Sequence, residues 1–194
     1  MGLAILVLGL VVMLGSHVFV MRRDARAATI ARLGETAYRV LFSLVSLVGL
    51  ALVAWGFARY RATEWIDVWS PPAWTGHVTV ALMLPAMILI AAAYFRGRIY
   101  VAVKHPMLAG VKLWAAGHLI SNGDLGSILL FGSLLAWAVA DRISLKSRKD
   151  AGGPPIPVGG WTNDVWAVVV GSILYLAIGY AFHPVVIGVP VFGR

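Results

Sequence analysis

Six apolar runs, at roughly 2–20, 37–58, 74–95, 106–121, 125–141 and 164–182, leave this chain very few folds to choose from. In hydrocarbon, every backbone N–H and C=O has to be satisfied within the spanning element, so runs of this length and spacing become helices. At about 1.5 Å per residue most of them cross a core of ~30 Å, the fourth and fifth being short. Composition agrees: 60% of the 194 residues are hydrophobic, only 12% are charged, and the mean hydropathy is +0.86. Soluble globular domains do not reach such values. The expected fold is all-α, a polytopic membrane helix bundle of about six transmembrane helices, forming a single domain over residues 1–194.

Orientation follows from where the basic residues fall. The first connection carries Arg22, Arg23, Arg26 and Arg32, the third Arg96, Arg98 and Lys104, and the fifth Arg142, Lys146, Arg148 and Lys149. The second has Arg59 and Arg61 offset by Glu64 and Asp67, and the fourth has none. The odd connections are therefore expected to face the cytoplasm and both termini the periplasm, in a bacterial inner membrane. Tryptophans support the same frame: Trp55, Trp65, Trp69 and Trp74 gather at the outer end, and Trp137, Trp161 and Trp166 at the inner end. The first run ends in Arg22-Arg23 and has no basic residues before it, so it reads as a retained helix and not a signal peptide.

Shorter features fill in the connections. Thr63–Trp69 alternates Trp65, Ile66, Val68 and Trp69 with Glu64 and Asp67, which predicts a short helix lying in the outer interface. In Ser121-Asn122-Gly123-Asp124, Asn-Gly suits a left-handed helix stop and Asp124 suits the cap of the next helix. Residues 147–160, with Gly152, Gly153, Pro154, Pro155 and Pro157, read as a cytoplasmic linker. The GxxxG-like spacings carry little weight, because 21 glycines in so apolar a chain produce several by chance.

Several functions are excluded by inventory. With no cysteine there are no disulfides, thiolate ligands or thiol nucleophiles. The net charge of +8 sits in short connections, where it sets orientation in the bilayer and does not read as a nucleic-acid surface. No metalloprotease motif, phosphate loop or Gly-x-Ser-x-Gly elbow is present. What remains is His105–Asp124, HPMLAGVKLWAAGHLISNGD, which places two histidines and a lysine in an apolar run. Ionisable groups at that depth cost roughly 2.5–3.5 kcal/mol on insertion scales, so they point to a site inside the bundle.

The five histidines acquire depths from the topology. His17 and His105 fall in the inner layer; His77 and His118 fall in the outer layer, His118 lying roughly 20 Å beyond His105 by helix rise. Imidazoles paired across helices at similar depth are a common means of holding haem in a membrane bundle. His183, at the outer end of the last helix, reads as a wet interfacial residue. Lys112, on nearly the same helical face as His105, either snorkels to the cytoplasmic side or faces an anion such as a haem propionate. Met13 beside His17, and the pair Met83 and Met87, read as packing.

The motifs His105-Pro106-Met107-Leu108, Lys112-Leu113-Trp114-Ala115, His118-Leu119, Asn122-Gly123-Asp124-Leu125 and Leu130-Phe131-Gly132, with Gly15-Ser16-His17 in the first helix, resemble the NnrU family of bacterial membrane proteins. That resemblance implies a part in nitrite and nitric oxide metabolism. More distantly, the chain is similar to the zeta-carotene isomerase family, which uses haem b for a redox-dependent cis-to-trans isomerisation. It implies haem b with axial ligands at His17 and His118. The isomerase's cysteine near the second histidine has no counterpart here, which counts against isomerase activity.

On depth alone the pairs would instead be His17 with His105 and His77 with His118, holding one haem or two. The expected role is that of a haem b protein of respiratory nitrogen-oxide metabolism, a redox or gas-responsive accessory factor or electron carrier. Its expected partners are the lipid bilayer and denitrification enzymes. Two other readings stand beside it: a haem-dependent isomerase of an apolar, carotenoid-like substrate, and a non-haem transporter or scaffold for denitrification enzymes.

Overall fold

A computed structural model describes residues 1–147 and 157–192. The described chain is helical, without named strands. In order it forms α1 (Gly2–Met21), α2 (Arg23–Leu33), α3 (Glu35–Thr63), α4 (Trp74–Ala92), α5 (Arg98–Val103), α6 (Pro106–Ser121), α7 (Leu125–Ser147) and α8 (Trp161–Ala177), which continues as a π-helical segment, Ile178–Ile187. Five of these are long and apolar enough to cross a membrane: α1, α3, α4, α7, and α8 taken with its π segment. The six-span expectation is thus met in five places. The fourth run, which forms α6, has 16 residues, which reach about 24 Å, short of a ~30 Å core. Leu8, Val11, Leu44, Leu47 and Leu50 are more than half exposed, as lipid-facing residues of a membrane helix are and those of a soluble core are not.

Two other expectations are corrected. No interfacial helix forms at Thr63–Trp69: α3 ends at Thr63, and the following backbone pairs with a distant stretch. Val68 and Trp69 N–H both donate to the Gly123 carbonyl (2.9 and 3.1 Å), and Leu125 N–H donates to the Ile66 carbonyl (2.9 Å). These bonds flank an isolated bridge between Asp67 and Asp124. Short helices lie instead at Arg23–Leu33 and Arg98–Val103. Asn122 is extended (φ −127°, ψ 120°), not a left-handed stop; its side-chain amide donates to the His118 carbonyl at 2.8 Å and satisfies an orphan of the last turn. Most of the linker at 147–160 lies outside the described residues. Its described end is held by the Gly159 N–H, which donates to the Arg96 carbonyl at 2.7 Å.

The chain divides into two compact units, Met1–Ser70 with Gly123–Ser144, and Pro71–Asn122 with Leu145–Arg194. In the first, α1 and α3 run antiparallel along a seam of small residues. Gly2 faces Tyr60, Gly56 faces Leu6, Gly9 faces Val53, Gly49 faces Met13, and Ser16 Oγ meets Ser46 Oγ at 3.1 Å. A Cβ placed on Gly2, Gly9, Gly49 or Gly56 would come within 2.3–2.6 Å of partner backbone nitrogen, so the backbones touch as they do in small-xxx-small membrane pairs. Glu64, just past α3, closes this hairpin. Its carboxylate accepts hydrogen bonds from the N-terminal ammonium and from the Gly2 and Leu3 amides, three donors that the start of α1 leaves open.

The ammonium, and after it the Leu3 and Gly2 amides, lowers the Glu64 carboxyl from its ordinary 4.5 to about 2. A carboxyl whose folded pKa is depressed stabilises the fold above its unfolded pKa and loses that contribution as pH falls through the folded one. The hairpin end is therefore expected to hold at and above pH 5 and to loosen between pH 4.5 and 2. Hydrogen exchange at Gly2 and Leu3 reads this directly. Glu64→Gln should remove the acid dependence, and an unchanged acid profile in that variant would refute the assignment.

In the second unit, α4 and α6 pack antiparallel through Gly117 against Thr79 and Met83 and through Gly110 against Ala86 and Ile90. The Thr79 hydroxyl donates to the Gly117 carbonyl at 2.6 Å and lies 3.1 Å from its own helix's Thr75 carbonyl. Gly171 of α8 meets the Ile88 backbone of α4. Asp164, in the first turn of α8, caps α5 by accepting the Arg98 and Ile99 amides at 3.0 and 2.9 Å.

Candidate functional site

His17 and His118, the two histidines well inside their helices, are built alike. His17 Nδ1 lies 2.8 Å from the Met13 carbonyl, and His118 Nδ1 lies 2.8 Å from the Trp114 carbonyl, in each case four residues back. A carbonyl only accepts, so Nδ1 carries the proton in both rings and Nε2 holds the lone pair. Anchoring one imidazole nitrogen to a backbone carbonyl fixes ring and tautomer and raises the basicity of the other, which is how metal-ligating histidines are usually held.

The surroundings of the two rings differ. His17 belongs to the first unit and packs against Phe42 and Trp137, both with ring centroids 5.3 Å away, Trp137 edge-on at 84°. Ser16 Oγ lies 3.3 Å from His17 Nδ1 and bonds the same Met13 carbonyl. His118 belongs to the second unit, with Trp114 at 5.1 Å and, at 6.2 Å, His183. His183, read from the sequence as an interfacial residue, is half-buried. It sits within the π segment, immediately before Pro184. Proline has no N–H to give to an α-helical ladder, and π turns concentrate at functional sites. Gly188, in the left-handed region (φ 75°), ends the segment, and Val189 N–H returns to the His183 carbonyl at 3.1 Å.

The other candidates are placed less tellingly. His77 is exposed near the start of α4. His105 is half-buried at the N-cap of α6, with Pro106 in the first turn. Ahead of it, Lys104 has φ 67° and ψ −42°, and His105 N–H donates to the Val103 carbonyl at 2.8 Å. This is a γ-turn on a non-glycine residue, a conformation that costs on the order of 1–3 kcal/mol. Lys112 is half-buried in the middle of α6.

Among the described residues, no three His, Asp or Glu side chains converge to hold a metal ion. An ion bound by protein alone needs three or four such ligands, whereas a porphyrin supplies four nitrogens and asks the protein for one or two. The two anchored imidazoles, each with one nitrogen tied to a carbonyl, are chemically suited to a group that asks the protein for one or two ligands.

Apolar spanning helices and backbone-to-backbone packing through small residues define a polytopic helical membrane protein, in which two histidines are each anchored to the carbonyl four residues back. The chain belongs to the NnrU family: the family model described as NnrU protein matches residues 5–191, a stretch that runs across both units. Membership points to a membrane protein related to nitric oxide. Neither curated proteins nor solved structures hold a match to the chain.

Proposed function

We propose that this protein binds haem b in the bacterial inner membrane and serves respiratory nitrogen-oxide metabolism as a redox or gas-responsive accessory factor or electron carrier. The observation that carries this reading is the common build of His17 and His118, each with Nδ1 tied to the carbonyl four residues back. When bound, haem would supply a one-electron couple and an iron with affinity for diatomic gases.

The chain's own residues perform the rest. The Met13 and Trp114 carbonyls hold the two imidazoles in the ligand tautomer, and the rings of Phe42 and Trp137 pack against His17 and that of Trp114 against His118. The Thr79–Gly117 hydrogen bond fixes α6 along its axis one residue from His118. Lys112 is suited to an anionic propionate, as its charge requires a counter-charge at that depth.

Absorption spectra test the reading. Full-length protein purified in detergent from haem-replete cells should show a Soret band that sharpens and shifts on reduction, with the split visible bands of low-spin haem. Purified protein without any Soret band would end the proposal.

A further inference from the structure

Two buried polar atoms of the first unit, Arg26 Nε and the Tyr38 hydroxyl oxygen, have no hydrogen-bond partner among the described residues. Both side chains line one groove of about 350 Å³, together with Val20, Arg39, Phe42 and Ser43. That volume lies in the range of ligand clefts, roughly 300–1,000 Å³. The chain reversal at Gly34 (φ 80°) brings α2 onto α3 and sets the Arg26 guanidinium over the Tyr38 ring, 5.7 Å from its centroid. Tyr38 is only 7% exposed. An arginine that merely snorkels carries its head out to water, whereas Arg26 keeps its Nε buried. A guanidinium cannot shed its charge, and an unmet donor at that depth is costly.

We infer that this groove holds the phosphate of an anionic glycerophospholipid. Phosphate oxygens only accept, so one oxyanion takes both the Arg26 N–H and the Tyr38 O–H and satisfies the two orphans together. The groove lies where that group is found in a bilayer. Val20 is the next-to-last residue of α1, Phe42 and Ser43 fall in the early turns of α3, and α2 between the two spanning helices buries no residue. Val20 and Phe42 give an apolar wall on the spanning side, suited to the first carbons of the acyl chains. Residues 20–43 carry five arginines against Asp24 and Glu35, which favours a lipid of net negative charge. Arg39 is already engaged, since its guanidinium donates to Glu35. The site draws on no histidine and no haem.

The test titrates full-length, delipidated protein in detergent with dioleoylphosphatidylglycerol or dioleoylphosphatidylcholine and counts bound lipid by native mass spectrometry. Wild type should take up one phosphatidylglycerol per chain well before phosphatidylcholine. Arg26→Gln should weaken that first binding about tenfold, as loss of a hydrogen bond to a charged group does. Tyr38→Phe deletes a single oxygen and guards against misfolding; it should weaken binding about threefold. Arg32→Gln removes the same charge from an exposed position of α2 outside the groove. It should leave the first affinity within about twofold, because exposed charges are screened.

Equal first-site affinity in wild type and Arg26→Gln overturns the site. So does a loss in Arg32→Gln as large as that in Arg26→Gln, which would leave only a basic surface. Phosphatidylcholine bound as tightly as phosphatidylglycerol overturns the selection of an anionic lipid. Millimolar inorganic phosphate added to the titration separates the two sources of the anion. It should fail to displace the lipid, having no acyl carbons for Val20 and Phe42, and displacement by phosphate alone would reassign the groove to a free oxyanion.

Discussion

Gly56→Ala is expected to cost about 3 kcal/mol or more and to separate α1 from α3. The added Cβ would land 2.3 Å from the Leu6 backbone nitrogen and 2.7 Å from its Cα. Neither contact is a flexible side-chain tip, so the helices themselves must move apart. Overpacking a tight interface typically costs 1–3 kcal/mol and sometimes more. Here separation also loosens the neighbouring contacts at Gly2 and Gly9 of α1 and at Gly49 of α3, since all of them lie in the same α1–α3 seam.

Gly15→Ala in α1, the partner helix, is the control. Its Cβ meets nothing within 4 Å, so the change should be neutral or gain up to about 1 kcal/mol from helix propensity. Detergent-induced unfolding followed by tryptophan fluorescence reads both. Equal midpoints for the two variants would refute the glycine seam.

Asp124→Ala should cost about 1–2 kcal/mol, the usual price of losing an N-cap. Asp124 is 1% exposed, and its Oδ1 accepts the Ser127 N–H at 2.9 Å, opening the 23-residue α7. Around it, the Val68, Trp69 and Leu125 amides join two distant stretches, and the Tyr60 ring lies against Gly126. Fraying the start of α7 therefore loosens the whole junction.

The second carboxylate oxygen, Oδ2, is buried with no hydrogen-bond partner, and an unmet buried acceptor is costly. Asp124→Ser, which keeps the capping oxygen and drops the unmet one, should lie within about 0.5 kcal/mol of wild type or above it. The same unfolding assay decides. A serine variant as unstable as the alanine variant would show that both oxygens matter and the cap alone does not account for the site.

How much was legible in advance depends on the range of the interaction. The Asp124 cap was readable because capping acts over three residues. The left-handed stop at Asn122 was not, because its side chain supplied the helix end with the bond that a left-handed turn would otherwise provide. Thr63–Trp69 has the alternation of an interfacial helix, but its amides find carbonyl partners near Gly123, a pairing between residues far apart in sequence. The glycine spacings were discounted as chance. Only the packing shows that Gly2, Gly9, Gly49 and Gly56 share one seam.

The ring contact between His118 and His183 was not legible either, because the facing of His183 depends on a π register that 3.6-residue periodicity cannot convey.

By itself the sequence determined that this is a helical membrane protein of the NnrU family. It also located five runs that form helices long and apolar enough to span, and placed His17 and His118 inside helices. Those follow from hydropathy, length and local spacing, which act along the chain. Which helices touch through glycine, where α7 is pinned, and that His118 has His183 as a ring neighbour were decided only in the tertiary structure. Close backbone approach and side-chain facing depend on two segments at once, and neither segment alone encodes where the other lies.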